Sequence, residues 1–110
     1  MSLRVSISLR AEADLTRQYR WYYKKAGLAV AERFLAAFDA SVARLAGQPG
    51  LGRLRKFREP ELAGIRSFPV GGRFAIHIIW HRNESGELRI ERVVHGARDL
   101  PSRLLGPPED

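Results

Sequence analysis

The stretch Leu28-Ala29-Val30-Ala31-Glu32-Arg33-Phe34-Leu35-Ala36-Ala37-Phe38-Asp39-Ala40-Ser41-Val42-Ala43-Arg44-Leu45 decides the architecture. Leu28, Ala31, Leu35, Phe38, Val42 and Leu45 recur at spacings of 3, 4, 3, 4 and 3. Side chains at those intervals line one face of an α-helix, so the segment predicts a long helix with one face against a core. Phe34 widens the stripe. Gly47 and then Pro49 close it, since a glycine just past the last turn and a following proline end helices.

Working back toward the N-terminus, a second helix precedes it. Ala11-Glu12-Ala13-Asp14-Leu15 combines strong helix formers with acids that complement the positive end of a helix dipole. Ser8 fits the N-cap position, and Lys24-Lys25 followed by Gly27 fits the end. The predicted span is Leu9 to Ala26. The short link at Gly27 forces the two helices into an antiparallel hairpin. Before Ser8, Leu3, Val5 and Ile7 alternate with Arg4 and Ser6, the period of a half-buried strand.

Working forward, Gln48-Pro49-Gly50-Leu51-Gly52 is rich in breakers and predicts irregular chain. Arg53-Leu54-Arg55-Lys56-Phe57-Arg58 adds four cations in six residues. From Ile65 the period returns to two. Ile65 to Val70, Phe74 to His81 and Leu88 to Val94 read as strands. Gly71-Gly72 reads as a two-residue hairpin turn and Asn83-Glu84-Ser85-Gly86 as the next turn. The expected order is β-α-α-β-β-β: an α+β domain with a helical hairpin packed on a mostly antiparallel four-stranded sheet. One domain is expected over 1–105, with 106–110 a frayed tail.

Composition narrows the function. The 110 residues carry 19 Lys+Arg against 12 Asp+Glu, a net charge of +7, and no cysteine. Without cysteine there is no disulfide framework, thiolate metal site or thiol nucleophile. Sixteen of the basic residues are Arg, the side chain of flat bidentate contacts to carboxylates and phosphates, so an anionic partner is expected. No stretch approaches the ~20 apolar residues of a membrane span, and the alternating N-terminus does not read as a signal peptide. A cytoplasmic protein without membrane contacts is expected. His77 and His81 lie four apart on a strand, ~13 Å at ~3.3 Å per residue, too far to share a zinc ion. No metal and no cofactor is expected.

Three stretches carry a family resemblance: Arg10-Ala11-Glu12-Ala13-Asp14-Leu15; Ala31-Glu32-Arg33-Phe34 running on to Leu45-Ala46-Gly47-Gln48-Pro49-Gly50-Leu51-Gly52-Arg53; and Ile65-Arg66-Ser67-Phe68-Pro69-Val70 leading to Val94-His95-Gly96-Ala97-Arg98-Asp99-Leu100. Together they resemble the ParE branch of the RelE/ParE toxin superfamily, from about Val5 to Leu100. The resemblance implies the toxin of a type II toxin–antitoxin pair, neutralised by a ParD-like antitoxin. It implies DNA gyrase as target, in its DNA complex, inhibited by protein contact. The alternatives are a RelE-like ribosome-dependent mRNA endonuclease and a degenerate, non-toxic member.

Site expectations follow. Target contacts are expected from Arg66, Arg73, Arg92, His95 and Arg98, on or beside the strands. Antitoxin contacts are expected from the crowded aromatics Tyr19, Trp21, Tyr22 and Tyr23, since four aromatics in five residues cannot all face a core, and from Arg53, Arg55, Lys56 and Arg58. An RNase would need cations at the scissile phosphate with an acid and a base. Here those would be His95, Arg98, Arg66 and Arg73. All three tyrosines lie on the first helix, so the C-terminal tyrosine of the RelE pattern is absent. The chain alone is not expected to read nucleic-acid sequence.

Overall fold

Ser8 marks the point where strand becomes helix. Its backbone is extended, its hydroxyl accepts from the Ala11 N–H, and helix α1 runs from Leu9 to Ala26. The computed structural model describes residues 2–96 and 100–106. Gly27 alone links α1 to α2 (Leu28–Gly47), and its φ of 91° is a conformation that residues with a Cβ rarely adopt. Both helices have the expected limits. The stripe on α2 is shifted from its expected start, however: Leu28 is exposed, while Phe34, Phe38, Val42 and Leu45 are buried.

The sheet has five strands, not four, in the order β1-β5-β4-β3-β2. The strands are β1 Arg4–Ile7, β2 Arg53–Leu54, β3 Arg66–Pro69, β4 His77–Glu84 and β5 Glu87–His95. The extra strand, β2, is only two residues long and pairs antiparallel with β3 inside the cationic segment. No period announces so short a strand. The β3–β4 and β4–β5 pairs are antiparallel, and β1 runs parallel to β5. Gly71-Gly72 does not form a two-residue hairpin. β3 ends at Pro69, a single 3-10 turn occupies Gly72–Phe74, and β4 begins at His77. Phe74 turns into the core, the Ser41 hydroxyl accepts from the Gly71 N–H at 3.0 Å, and Val70 N–H donates to His77 O at 2.9 Å. Those tertiary contacts override the local turn preference.

The hairpin covers one face of the sheet. Phe34, Phe38 and Leu45 pack there with Ile79, Leu88 and Val93. A second apolar cluster, Leu62, Ile65, Trp80, Val94, Leu100 and Leu104, occupies the other face. Leu100 and Leu104 belong to a short helix, α3 (Leu100–Leu105), which the glycines and prolines of the tail did not announce. Residues 107–110 of the expected tail lie outside the described residues.

One edge of β5 is divided. Its first half pairs with β1, from Arg4–Glu87 to Ile7–Ile90. Beyond that β1 has ended, and α1 lies alongside instead. Ser8 Oγ donates to Glu91 O (2.7 Å), Asp14 Oδ2 accepts from Val93 N–H (3.0 Å), and Gln18 Nε2 donates to Val93 O (2.8 Å). Side chains of a helix thus satisfy backbone groups that a neighbouring strand otherwise would. No described helix is long and apolar enough to cross a membrane.

Candidate functional site

Where α1 passes the ends of β4 and β5, a cleft opens between them and α3, with a volume of about 870 Å³. The second half of α1 forms one wall. Arg17, Arg20 and Lys24 recur there at helical spacing, so one face of the helix is basic. Trp21, on the same wall, is 56% exposed. His77 and His95, opposite one another in the β4–β5 ladder, supply the other wall, and Arg103 of α3 closes the end. Among the described residues no carboxylate lines the cleft.

Tyr22 reaches from α1 to His77, with its hydroxyl 2.8 Å from Nε2. Its ring packs edge-on against Phe74, and Phe34 lies against the His77 ring. This surrounding pushes the His77 pKa down to about 4, first by burial and then by His95 and Arg17. The Tyr22 hydroxyl is pushed up by burial. Both are therefore neutral at pH 7. The His77 Nδ1, the Gln18 Oε1 and the Arg17 Nε are buried with no hydrogen-bond partner.

The expected target residues are dispersed. His95 is exposed at the cleft, its ring 5.4 Å from that of His77. Arg66 pairs with His81, four residues further along β4 or ~13 Å away, and donates to Gly52 O at 2.8 Å. Arg73 is exposed on the turn before β4. Arg98 lies outside the described residues. Arg92 is no surface group. It is 1% exposed, holds Asp14 through Nε and Nη2 at 2.8 and 3.0 Å, and turns Nη1 to the carbonyls of Arg103, Leu104 and Gly106. A bulge opposite the Trp80–His81 step puts Arg92 on the face of Val94 and not on that of Ile90, which strict alternation along the strand does not show.

The expected antitoxin residues fall into two groups at opposite edges of the sheet. Trp21 and Tyr23 are exposed, Tyr19 is half-buried, and Tyr22 faces inward to His77. Tyr19, Leu15, Leu35 and Ala36 also line a shallow groove between α1 and α2. Arg53, Lys56 and Arg58 are exposed at the β2 edge. Arg55 is half-buried there, its guanidinium over the rings of Trp80 (5.2 Å) and Phe57 (5.7 Å). Beneath this loop Gly52 meets His81 so closely that an added Cβ would fall onto the imidazole. Burial, and then Arg66, pushes the His81 pKa down, while its bond to Asn83 pushes it up.

Sequence reasoning missed the cleft because Tyr22 and His77 are 55 residues apart. The available signal was the basic spacing of Arg17, Arg20 and Lys24 beside Trp21.

Comparison with known proteins adds the following. Residues 5–100 match the model of a family described as the ParE toxin of a type II toxin–antitoxin system, parDE. No curated protein sequence matches the chain. A solved structure of a chromosomal ParDE toxin–antitoxin system from P. aeruginosa is similar in fold, with a TM-score of 0.70 and 21% identity over 87% of this chain and 98% of that one. The toxin–antitoxin complex RelBE2 from Mycobacterium tuberculosis has a TM-score of 0.60 and 23% identity over 86% and 92%.

Proposed function

The chain belongs to the ParE toxin family of type II toxin–antitoxin systems, and on that premise we propose that it inhibits DNA gyrase by direct contact in the cytoplasm. A ParD-like antitoxin neutralises it. The observation that carries contact over catalysis is the dispersal of the groups an RNA-cutting centre requires. Arg66 and His95 stand opposite His81 and His77, ~13 Å apart along β4. Acid–base catalysis needs its groups within hydrogen-bond reach of one scissile phosphate. Binding tolerates their separation, because arginines spread over a surface each meet their own anion. Exposed Arg73 and His95, with Arg66 between β2 and β4, offer that surface to gyrase on DNA.

Two features support antitoxin docking. The groove along Leu15, Tyr19, Leu35 and Ala36 is open and partly apolar, and Trp21 and Tyr23 of the same helix are exposed. A helix laid there buries apolar surface. The cations Arg53, Lys56 and Arg58 at the far edge suit an acidic extension of the same partner. The solved relatives are themselves toxin–antitoxin assemblies.

A gyrase supercoiling and cleavage assay, run beside a ribosome-programmed mRNA cleavage assay, tests the proposal. Inhibited gyrase with intact mRNA is expected. Cut mRNA with untouched gyrase overturns it in favour of the RelE-like reading, and activity in neither assay points to a non-toxic member.

A further inference from the structure

The cleft beside α1 shares His95 with the surface offered to gyrase and Arg20 with the hairpin groove, but its combination of groups is its own. Arg17, Arg20 and Lys24 line one wall, and among the described residues no carboxylate lines the cleft. Asp14, near Arg17 at 3.8 Å, is fully buried and engaged by Arg92. The walls therefore favour an anion. Its floor makes a different demand. Gln18 donates one Nε2 hydrogen to Val93 O and leaves Oε1, a pure acceptor, without a donor. Neutral His77 and Tyr22 hold two polar hydrogens between them and use one in their mutual bond. The other remains, either on Nδ1 or on the Tyr22 hydroxyl. Buried groups left unpaired in this way are costly, so a ligand that pairs them gains affinity.

We infer that the cleft binds a nucleoside phosphate, as a free nucleotide or as the phosphorylated end of a strand. The cations hold the phosphate. A sugar hydroxyl or base N–H donates to Gln18 Oε1 and meets the Tyr22–His77 pair once the rim side chains turn aside. The exposed Trp21 ring gives the base a face to stack on. An acidic protein side chain satisfies the cations but turns an acceptor toward Gln18 Oε1, which disfavours it. The volume of about 870 Å³ lies within the range of small-ligand sites.

Titration of the full chain, followed by calorimetry and tryptophan fluorescence, tests this. The chain has two tryptophans and Trp80 is 1% exposed, so ligand quenching reports Trp21. The probes are adenosine 5′-monophosphate, inorganic phosphate, adenosine, a 5′-phosphorylated tetranucleotide and a hexaglutamate peptide. The nucleotide is expected to bind with a Kd below about 1 mM and to quench Trp21. Inorganic phosphate and adenosine should each bind at least about tenfold more weakly, having only half of the recognised chemistry. The surface variant R20A/K24A should weaken nucleotide binding about tenfold, with an unchanged melting temperature and a shallower salt dependence. Trp21→Phe should abolish the quench while calorimetry still records binding. Tighter binding of the tetranucleotide identifies a strand end, and equal binding a free nucleotide. The inference is overturned if no nucleotide binds up to about 1 mM. It is equally overturned if phosphate alone binds as well, or if hexaglutamate binds most tightly. None of these outcomes depends on gyrase.

Discussion

The two faces of the sheet are held by different means. On the helix-covered face, Phe34, Phe38, Leu45, Ile79 and Leu88 pack as a continuous apolar layer. That layer needs only area removed from water. On the other face a smaller apolar cluster of Trp80, Val94, Leu100 and Leu104 is flanked by charge. Arg92 is buried beside it, bound to Asp14 and to the last carbonyls of α3, and Arg10 donates to Leu104 O at 2.8 Å. Orphan carbonyls at a helix C-terminus attract cations, so guanidinium groups hold a helix too short to dock by apolar area alone. The first face tolerates small errors in packing. The second depends on every donor keeping its acceptor.

Four measurements probe that contrast. Asp14→Ala should have the largest effect, about 5 kcal/mol in denaturant unfolding, because it strands the buried Arg92 and also frees Val93 N–H. Replacing both partners, as D14L/R92M, should recover part of that loss, since no uncompensated charge remains while Val93 N–H and the α3 carbonyls still lack their partners. If the double variant is no more stable than Asp14→Ala, charge satisfaction is not what holds the second face. Phe34→Ala should cost about 4 kcal/mol through lost burial and the cavity left behind, with no rescue by any charge change. A loss below about 1 kcal/mol would show that the layer collapses around the gap.

Third comes acidity, which sharpens the contrast because it should act on the apolar face. His77 is held neutral, with its pKa lowered from 6.5 to about 4. The unfolded chain takes up this proton near pH 6.5, whereas the folded one resists until about pH 4. Stability from this group is therefore complete above pH 6.5 and falls as the pH drops from 6.5 to 4. The loss then levels off at roughly 3 kcal/mol. Comparing His77→Phe with wild type across that range should show the variant losing less. Equal slopes would remove His77 from the acid response. The smallest effect expected is for Ser8→Ala, about 1 kcal/mol, through loss of the α1 cap and of the bond to Glu91 O. An effect near zero would mean that water replaces both bonds.

The apolar face was readable in the sequence and the charged one was not, for a physical reason. Ser8, Gly27 and Gly47 mark helix ends through local backbone chemistry, and the spacing along α2 states its buried side. β2, the Gly72–Phe74 turn and α3 depend on partners far along the chain, such as Ser41 for Gly71 and Arg92 for the α3 carbonyls. Arg92 was expected at the target surface because it is charged, and the bulge that puts it on the face of Val94, opposite that of Ile90, has no sequence signal. Asp14 and Gln18 likewise fall at helical spacing with Ala11, forming a polar stripe that faces an edge of β5. Of the cleft, only its basic wall was visible, since the meeting of Tyr22 with His77 is a product of folding.

The parallel pairing of β1 with β5 has a consequence for synthesis. Arg4 finds Glu87, and Asp14 finds Arg92 and Val93, only after some eighty further residues have been made. Translation is vectorial, so the N-terminal strand and the inward stripe of α1 leave the ribosome long before anything exists to receive them. The helical hairpin can form early from local contacts, but the edge it is to guard arrives after every other strand. A chain released short of β5 has a hairpin with no sheet beneath it, and activity that depends on the assembled sheet begins only once β5 has been made.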